Sequence, residues 1–219
     1  MALAPAPDTR PEPGLGYWQR HARRYDRSTR FLARPIARAC QLTADAVRGR
    51  ARVLEIAAGT GAFTAAIAPV VGTLIATDYA PAMVTELAAR VRAAGLANVT
   101  CAQADLYALP DPDASFDAVV GANVLHLVPE LPRALASLRR VLRPDGVLVV
   151  PTFLHRATAW TALLSRVFAL TGFPGARRFD ARGLHAALAA AGFVVVQAET
   201  IPGPFPIGFV AATPTGARP

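Results

Sequence analysis

Residues 52–61 read RVLEIAAGTG, and this stretch governs how the rest of the chain is interpreted. Residues 52–56 are apolar enough for a short strand, and residues 57–61 form a tight loop before a helix that begins at Ala62. Glycines in such a loop let the backbone approach a ligand, and the amides of the following helix point toward it. The stretch therefore predicts a nucleotide-like ligand at the end of the first strand.

Strand and helix patterns alternate along the following hundred or so residues. We predict further strands at 73–77, 99–102, 117–122 and 147–152 and helices at 81–94 and 131–142. Five strands with interposed helices imply a parallel sheet covered by helices on both faces.

Two more strands are predicted near the C-terminus, at 193–200 and 207–212. The six residues from Ile201 to Pro206 are too few for a helical crossover, so these strands must form an antiparallel hairpin. The prediction is an α/β fold with a doubly wound, seven-stranded sheet that is mostly parallel.

The N-terminal region differs from the alternating part. Trp18, Tyr25 and Leu32 recur on one face of a predicted helix, which Pro35 should end at about Arg34 while beginning a second helix. The predicted organisation is a disordered tail at 1–15, a helical lid at 16–50 and a ligand-binding domain at 51–213 with a helical insertion at 155–179.

Composition and charge exclude several classes of protein. Hydrophobic residues make up 53% and charged residues 17%, which excludes a disordered chain, and no apolar run is long enough to span a membrane. Cys40 and Cys101 lack the spacing of a disulfide framework or a zinc site, and residues 1–13 lack the pattern of a secretory signal. A cytoplasmic protein is expected.

The net charge of +8 is concentrated at one end of the chain. The sequence contains no lysine, and residues 1–52 hold 11 arginines against four acidic residues. Basic amphipathic helices bind anionic bilayers, so a peripheral membrane contact through this region is one alternative. A general arginine bias of the sequence is the other.

Three features narrow the choice of nucleotide. Asp78 follows Gly59 by nineteen positions, the spacing at which an acidic residue binds a ribose diol. A dinucleotide fingerprint would place a third glycine where Thr64 stands, and a Walker loop needs a lysine. Glu55 would repel a pyrophosphate but suits a ligand with an ammonium and a sulfonium group. The loop therefore favours S-adenosylmethionine.

The chain resembles class I S-adenosylmethionine-dependent methyltransferases, in the broad group that includes ubiquinone and menaquinone biosynthesis methyltransferases. The resemblance covers about residues 15–212 and rests on motifs at 53–61, 76–83, 104–106, 111–117 and 142–146. It implies a Rossmann-like sheet that ends in an antiparallel hairpin. One departure is Ala57, where the family more often has glycine, and its methyl group is expected to restrict the loop or tighten the methionine pocket.

The resemblance also implies a set of cofactor-binding residues. Asp78 would hold the ribose hydroxyls, and Tyr79 and Met83 would flank the adenine. Asn123 would lie near the sulfonium. The remaining implied contacts are Tyr25, Glu55, Ala57, Gly59, Gly61, Asp105 and Leu106.

Methyl transfer is an in-line displacement, in which the protein mainly aligns two reactants and excludes water. A hydroxyl or carbon acceptor needs a general base, and His126, just past the fourth predicted strand, is the candidate. A packed or solvated histidine is the alternative interpretation. No metal cluster is expected among the four histidines. Candidate substrate contacts are Tyr17, Trp18, His21 and His155, for which core packing or surface exposure is the alternative.

The leading hypothesis is a methyltransferase that acts on an O, N, S or C atom of a small, fairly apolar molecule. The alternatives are a membrane-borne acceptor such as a phospholipid, and a cofactor-binding protein that works as a cyclase, an isomerase or a binding subunit. Nucleic-acid methylation is not expected, because no Asn-Pro-Pro-Tyr or Asp-Pro-Pro-Tyr type motif follows the fourth strand.

Overall fold

The computed structural model of the protein describes residues 14–22, 30–156, 161 and 175–216. The predictions for Tyr25, for the tail at 1–13 and for most of the insertion lie outside these residues. Leu15, assigned above to the tail, begins the first helix.

The described residues form an α/β structure. The helices are α1 (Leu15–His21), α2 (Ala33–Val47), α3 (Ala62–Ile67), α4 (Pro81–Ala93), α5 (Leu131–Val141) and α6 (Ala181–Ala190). The strands are β1 (Arg52–Glu55), β2 (Thr73–Asp78), β3 (Val99–Gln103), β4 (Phe116–Val120), β5 (Leu142–Val149), β6 (Thr152–Phe153), β7 (Phe193–Ile201) and β8 (Ile207–Pro214).

All eight strands belong to one sheet, in the order β3-β2-β1-β4-β5-β8, with β7 on the far side of β8. The first five strands pair in parallel, and β8 runs antiparallel to β5 and β7. This confirms the mostly parallel, doubly wound sheet and its terminal hairpin. The strand order reverses between β1 and β4, and such a reversal opens a crevice at the carboxyl ends of the strands.

The sheet has eight strands where seven were predicted. The segment predicted as one strand at 147–152 is divided into the end of β5 and the two-residue β6, which pairs with β8 at Gly208 and Ile207. The strand pairing of β5 also begins earlier, at Leu142, with a register shift before Val147. The extra strand, β6, pairs with the same edge of β8 as β5 does, so it leaves the fold unchanged.

Pro35 lies inside the first turn of α2 and does not separate two helices at Arg34. A short 3-10 turn at Arg30–Leu32 leads directly into α2 at Ala33. The first-turn N–H groups of a helix have no partner within the helix, so proline is tolerated as the third residue.

Helices cover both faces of the sheet, as predicted. Val53 belongs to a buried cluster with Leu42 of α2 and Leu87 of α4, whereas the next residue, Leu54, belongs to one with Leu135 of α5. Successive side chains of β1 thus point to opposite faces of the sheet and pack into two separate cores. Among the helices of the described residues, none combines the length and apolar character needed to cross a membrane.

Candidate active site

A cavity of about 400 Å³ lies at the carboxyl ends of β1, β2 and β4, where the strand order reverses. Its walls come from both the sheet and the N-terminal helices. Predicted site residues among its lining are Trp18, Glu55, Ala57, Gly59, Asp78, Tyr79, Met83, Leu106 and Asn123. The structure therefore brings nine of the predicted residues to one place.

The loop from β1 to α3 forms the floor of this cavity through an unusual backbone conformation. Ala57, Gly59 and Gly61 have φ values of +50°, +57° and +89°, all left-handed. Gly61 caps α3 and lies against the core, where an added methyl group would stand 2.7 Å from Leu87 Cδ1. Ala57 adopts a conformation that favours glycine, so its methyl group is held at a modest strain beside the cavity.

The Asp78 carboxylate ties the end of β2 to this loop. Its Oδ2 accepts a hydrogen bond from the Gly59 N–H at 2.9 Å, and its Oδ1 accepts one from the Ala80 N–H at 2.9 Å. Burial raises the pKa of Asp78, and these backbone donors oppose the rise. Each oxygen keeps a second lone pair, so the carboxylate retains acceptor capacity toward the cavity.

The Glu55 carboxyl group is the most deeply buried charge-bearing group of the cavity. It is 1% exposed, and its Oε2 accepts a hydrogen bond from Thr64 Oγ1 at 2.6 Å. The pKa of Glu55 is raised to about 8, because the effect of burial, with a smaller contribution from the nearby Asp78, outweighs the opposing effect of the Thr64 hydrogen bonds. The group is therefore largely neutral at pH 7 until a cation enters the cavity.

Asn123 also turns toward the cavity in a left-handed conformation, with a φ of +52°. Its N–H donates to the Pro151 carbonyl at 2.7 Å, which fixes the loop after β4 against the end of β5. Within the described part of the chain, the buried Asn123 Oδ1 has no hydrogen-bond partner. It offers an acceptor to whatever occupies the cavity.

Residues 53–146, which include most of these groups, match the model of a protein family described as a methyltransferase domain. This segment is a class I methyltransferase domain. The match confirms the predicted family, and with it S-adenosylmethionine as the cofactor of the domain.

Curated relatives match this domain at moderate identity. Malonyl-[acyl-carrier protein] O-methyltransferase of Halorhodospira halophila is 40% identical over 104 residues, which cover 47% of this chain and 35% of that protein. The ubiquinone/menaquinone biosynthesis C-methyltransferase UbiE of Teredinibacter turnerae is 37% identical over 131 residues, covering 58% and 51%. The chain spans about half or less of the length of these relatives.

A solved structure supports the fold over nearly the whole chain. The DhpI–SAH complex superposes with a TM-score of 0.72 at 24% identity and covers 94% of this chain and 97% of that one. At this identity the likeness concerns the fold alone. It includes regions on both sides of the methyltransferase domain.

The N-terminal helix covers one side of the cavity of the methyltransferase domain. Leu15 and Trp18 line the cavity, and Trp18 packs with Met83. Tyr17 and His21 stack on each other with ring centroids 4.1 Å apart, and neither is among the described lining residues. The geometry thus separates Trp18 from the two other aromatic candidates on α1.

Three other predicted cofactor contacts have distinct positions. Leu106 lines the cavity, whereas Asp105 directs its Oδ1 to the Tyr107 N–H at 2.8 Å and is not in the described lining. Gly61 is the last residue of the loop; it lies against Leu87 and does not line the cavity.

His126 and His155 lie next to each other, away from the described cavity wall. Their ring centroids are 5.1 Å apart, and His126 is 1% exposed. Burial lowers the pKa of His126 to about 3 and that of His155 to about 4. Both rings are therefore neutral at pH 7.

Much of the apolar wall was not predicted from the sequence. Ala33, Ile36 and Ala37 of α2 lie on the cavity side, and their helical spacing was the available signal. Arg90 also lines the cavity, about two turns after Met83 on the same face of α4. Further unpredicted lining residues are Ala58, Thr60, Ala62, Phe63, Ala80, Ala122, Val124, Leu127 and Val128.

Proposed function

We propose that the protein transfers a methyl group from S-adenosylmethionine to a carbon or oxygen atom of a small, fairly apolar molecule. One observation carries this proposal. Glu55 and Asp78 line the same cavity, next to a loop whose glycines have left-handed backbone angles, and the other walls of the cavity are mostly apolar. The names of the two relatives, a C-methyltransferase and an O-methyltransferase, support the choice of acceptor atom.

In this proposal, different residues of the cavity bind different parts of the cofactor. Asp78 accepts hydrogen bonds from the ribose hydroxyls, and Glu55 faces the cationic methionine end. Tyr79 and Met83 flank the adenine. The loop residues Ala57, Gly59 and Gly61 shape the methionine pocket, Asp105 and Leu106 meet the adenine edge, and Asn123 lies near the sulfonium.

The acceptor would approach along the apolar wall formed by α1, α2 and the loop after β4. Trp18, Ile36 and Leu127 lie there and exclude water from the transferring methyl group. In-line transfer then depends mainly on how the two reactants are aligned. Because the His126 ring lies outside the described lining, we assign the proton-accepting step to no residue of this wall.

Calorimetric titration of the cofactor-free protein with S-adenosylmethionine, S-adenosylhomocysteine and NAD tests the cofactor assignment. We expect the two adenosyl ligands to bind and NAD to give no heat. Binding of NAD alone would contradict it. Formation of S-adenosylhomocysteine with phenol, carboxylic acid and enol acceptors then separates methyl transfer from a cyclase, isomerase or binding role.

The raised pKa of Glu55 predicts that the affinity for the cofactor depends on pH. With a pKa of about 8 in the free protein, the carboxyl group must lose a proton before it pairs with an ammonium group. The affinity for S-adenosylhomocysteine should therefore rise by up to about tenfold per pH unit from pH 6 toward pH 8. Glu55→Gln should bind more weakly at pH 8 and show a flatter profile; a wild-type affinity that is constant from pH 6 to pH 8 would contradict the prediction.

The same group predicts the pH dependence of folding stability. Its folded pKa lies above the value of an unfolded glutamate, so between about pH 4.5 and pH 8 the native state binds more protons than the unfolded state. This contribution lowers stability as the pH rises. Glu55→Gln should remove it, and denaturant unfolding of both proteins at pH 6 and pH 8 measures the difference.

A membrane-borne acceptor is a second proposal, because the segment that leads into α2 has an exposed aromatic residue and a sequence rich in arginine. Phe31 is 56% exposed just before α2, whose Ala33 and Ile36 line the cavity, and residues 15–38 hold seven arginines and one acidic residue. Sedimentation with vesicles containing anionic phospholipid should show salt-sensitive binding that Phe31→Ser weakens. Equal binding to neutral vesicles would overturn it.

A further inference from the structure

A second polar region lies on the other side of the loop that follows β4. His126 from this loop, His155 after β6, and Arg177 and Arg178 before α6 form what we term the histidine–arginine cluster. Phe153 and Phe205 flank it, with ring centroids 6.1 Å from His126 and 6.0 Å from His155, respectively. The cluster is thus a polar group set in aromatic surroundings.

The backbone holds the cluster in a defined geometry. The N–H groups of Ala176 and Arg177 both donate to the His126 carbonyl at 2.9 Å, and Arg177 Nη2 donates to the Pro129 carbonyl. The Arg156 N–H donates to the Phe179 carbonyl at 3.0 Å. These bonds fix Arg177 against the loop that carries His126.

The buried polar atoms of the cluster include Nδ1 of His155 and Nε of Arg177, which have no hydrogen-bond partner in the described structure. A buried donor without a partner loses its hydrogen bonds to water and gains none in return, so such atoms call for an explanation. The nearby charge that acts on His155 is that of Arg178, which lowers the pKa of His155 in the same direction as burial. The closest acidic residue in sequence, Asp180, is engaged as the cap of α6 through Gly183 N–H at 2.7 Å. Arg177 and His155 therefore offer unsatisfied polar atoms to which an anion can bind.

The cluster is also close to the proposed reaction site. Asn123, Val124 and Leu127 of the loop after β4 line the cofactor cavity, while His126 of the same loop belongs to the cluster. One loop thus separates the cavity from the cluster. An acceptor that reached past this loop would place its apolar part beside Leu127 and a charged end beside Arg177.

We propose that the histidine–arginine cluster binds a carboxylate group of the acceptor, with Arg177 Nε and His155 Nδ1 as the donors. This inference rests on the proposed function, since it assigns the substrate class of the same site. A carboxylate has two oxygens with which to accept hydrogen bonds from two donors, and hydrogen bonds of this charge-assisted kind are roughly twice as strong as neutral ones. The substrate class is accordingly an apolar molecule that bears a carboxylate away from the methylated atom.

Octanoate and octanamide are matched probes, because they share an apolar chain and differ in the charged group. Each is titrated by calorimetry into the protein saturated with S-adenosylhomocysteine. We expect octanoate to bind at least tenfold more tightly than octanamide. Equal affinities for the two probes would overturn the proposal.

Variants locate the binding site of the probe. Arg177→Gln removes one donor, and His155→Phe removes the other while keeping a ring against Phe205. Both should bring the ratio of affinities close to one, whereas Arg182→Gln, on the exposed side of α6, should leave it unchanged. A ratio that persists in both cluster variants would overturn the proposal, and thermal unfolding confirms that each variant is folded.

The two proposals fail in different ways. If S-adenosylhomocysteine binds but octanoate shows no preference, the cluster assignment alone is wrong. If S-adenosylhomocysteine does not bind, the proposed function is wrong, and the octanoate titration of the ligand-free protein still tests the cluster.

Discussion

Gly61→Ala is expected to destabilise the protein by about 2–4 kcal/mol, the sum of a backbone and a packing effect. Gly61 has a φ of +89°, which an alanine adopts only at a cost. Its new methyl group would stand 2.7 Å from Leu87 Cδ1, and Leu87 is fully buried between α4 and the sheet. Thermal unfolding followed by circular dichroism should show a loss of about 5–15 °C.

Gly95→Ala separates the two effects. Gly95 also has a left-handed backbone, with a φ of +64°, but an added methyl group there meets no atom within 4 Å. We expect this variant to lose only about 1 kcal/mol, from the backbone alone. If Gly61→Ala and Gly95→Ala lost the same stability, Leu87 would not restrict the loop.

Local patterns in the sequence predicted most of the fold, because the features that decide it are short-range. Loop length forced the β7–β8 hairpin, since the residues between the strands cannot form a crossover. The strand–loop–helix pattern around Gly59 likewise predicted where a ligand binds. Such patterns could not predict β6, because this two-residue strand exists only through its pairing with β8.

The site was predictable where position alone matters and unpredictable where side-chain direction matters. Asp78 ends its strand, and strand ends meet at one edge of a parallel sheet, so its place followed from the pattern. His126 lies in the loop six residues after the end of β4, beyond the left-handed Asn123, and its ring lies beside that of His155. The direction of a side chain in such a loop depends on the backbone angles of several residues, which the sequence pattern does not specify.

The apolar wall from α2 illustrates a second limit. Ala33, Ile36 and Ala37 are separated from β1 by more than a dozen residues, and they reach the cavity only because α2 packs against α3. A helix was predicted here from the sequence, but none of its residues was assigned to the cavity. Which ligand or element this face covers depends on tertiary packing, which short-range patterns do not encode.

Asp78→Asn is expected to weaken the binding of S-adenosylhomocysteine at least 30-fold and to destabilise the ligand-free protein by less than this loss of binding free energy. Asparagine keeps the size of the side chain but retains a single oxygen, so it cannot accept from two ribose hydroxyls and from the N–H groups of Gly59 and Ala80 together. Hydrogen bonds to a charged group are worth about 1.5–3 kcal/mol each, which sets the scale of the loss.

The stability of the same variant distinguishes loss of a ligand contact from loss of the fold. Because burial raises the pKa of Asp78 above its ordinary value, the folded protein disfavours the charged carboxylate at neutral pH. By linkage, removing the charge offsets part of the cost of the one backbone hydrogen bond that asparagine cannot make, so the free energy of unfolding at pH 7 should fall by less than the binding free energy does. Asp45→Asn, at an exposed position of α2, is the control and should change neither quantity. A loss of binding free energy that exceeds the loss of unfolding free energy would identify Asp78 as a ligand contact, whereas equal losses of both would show that it serves the fold.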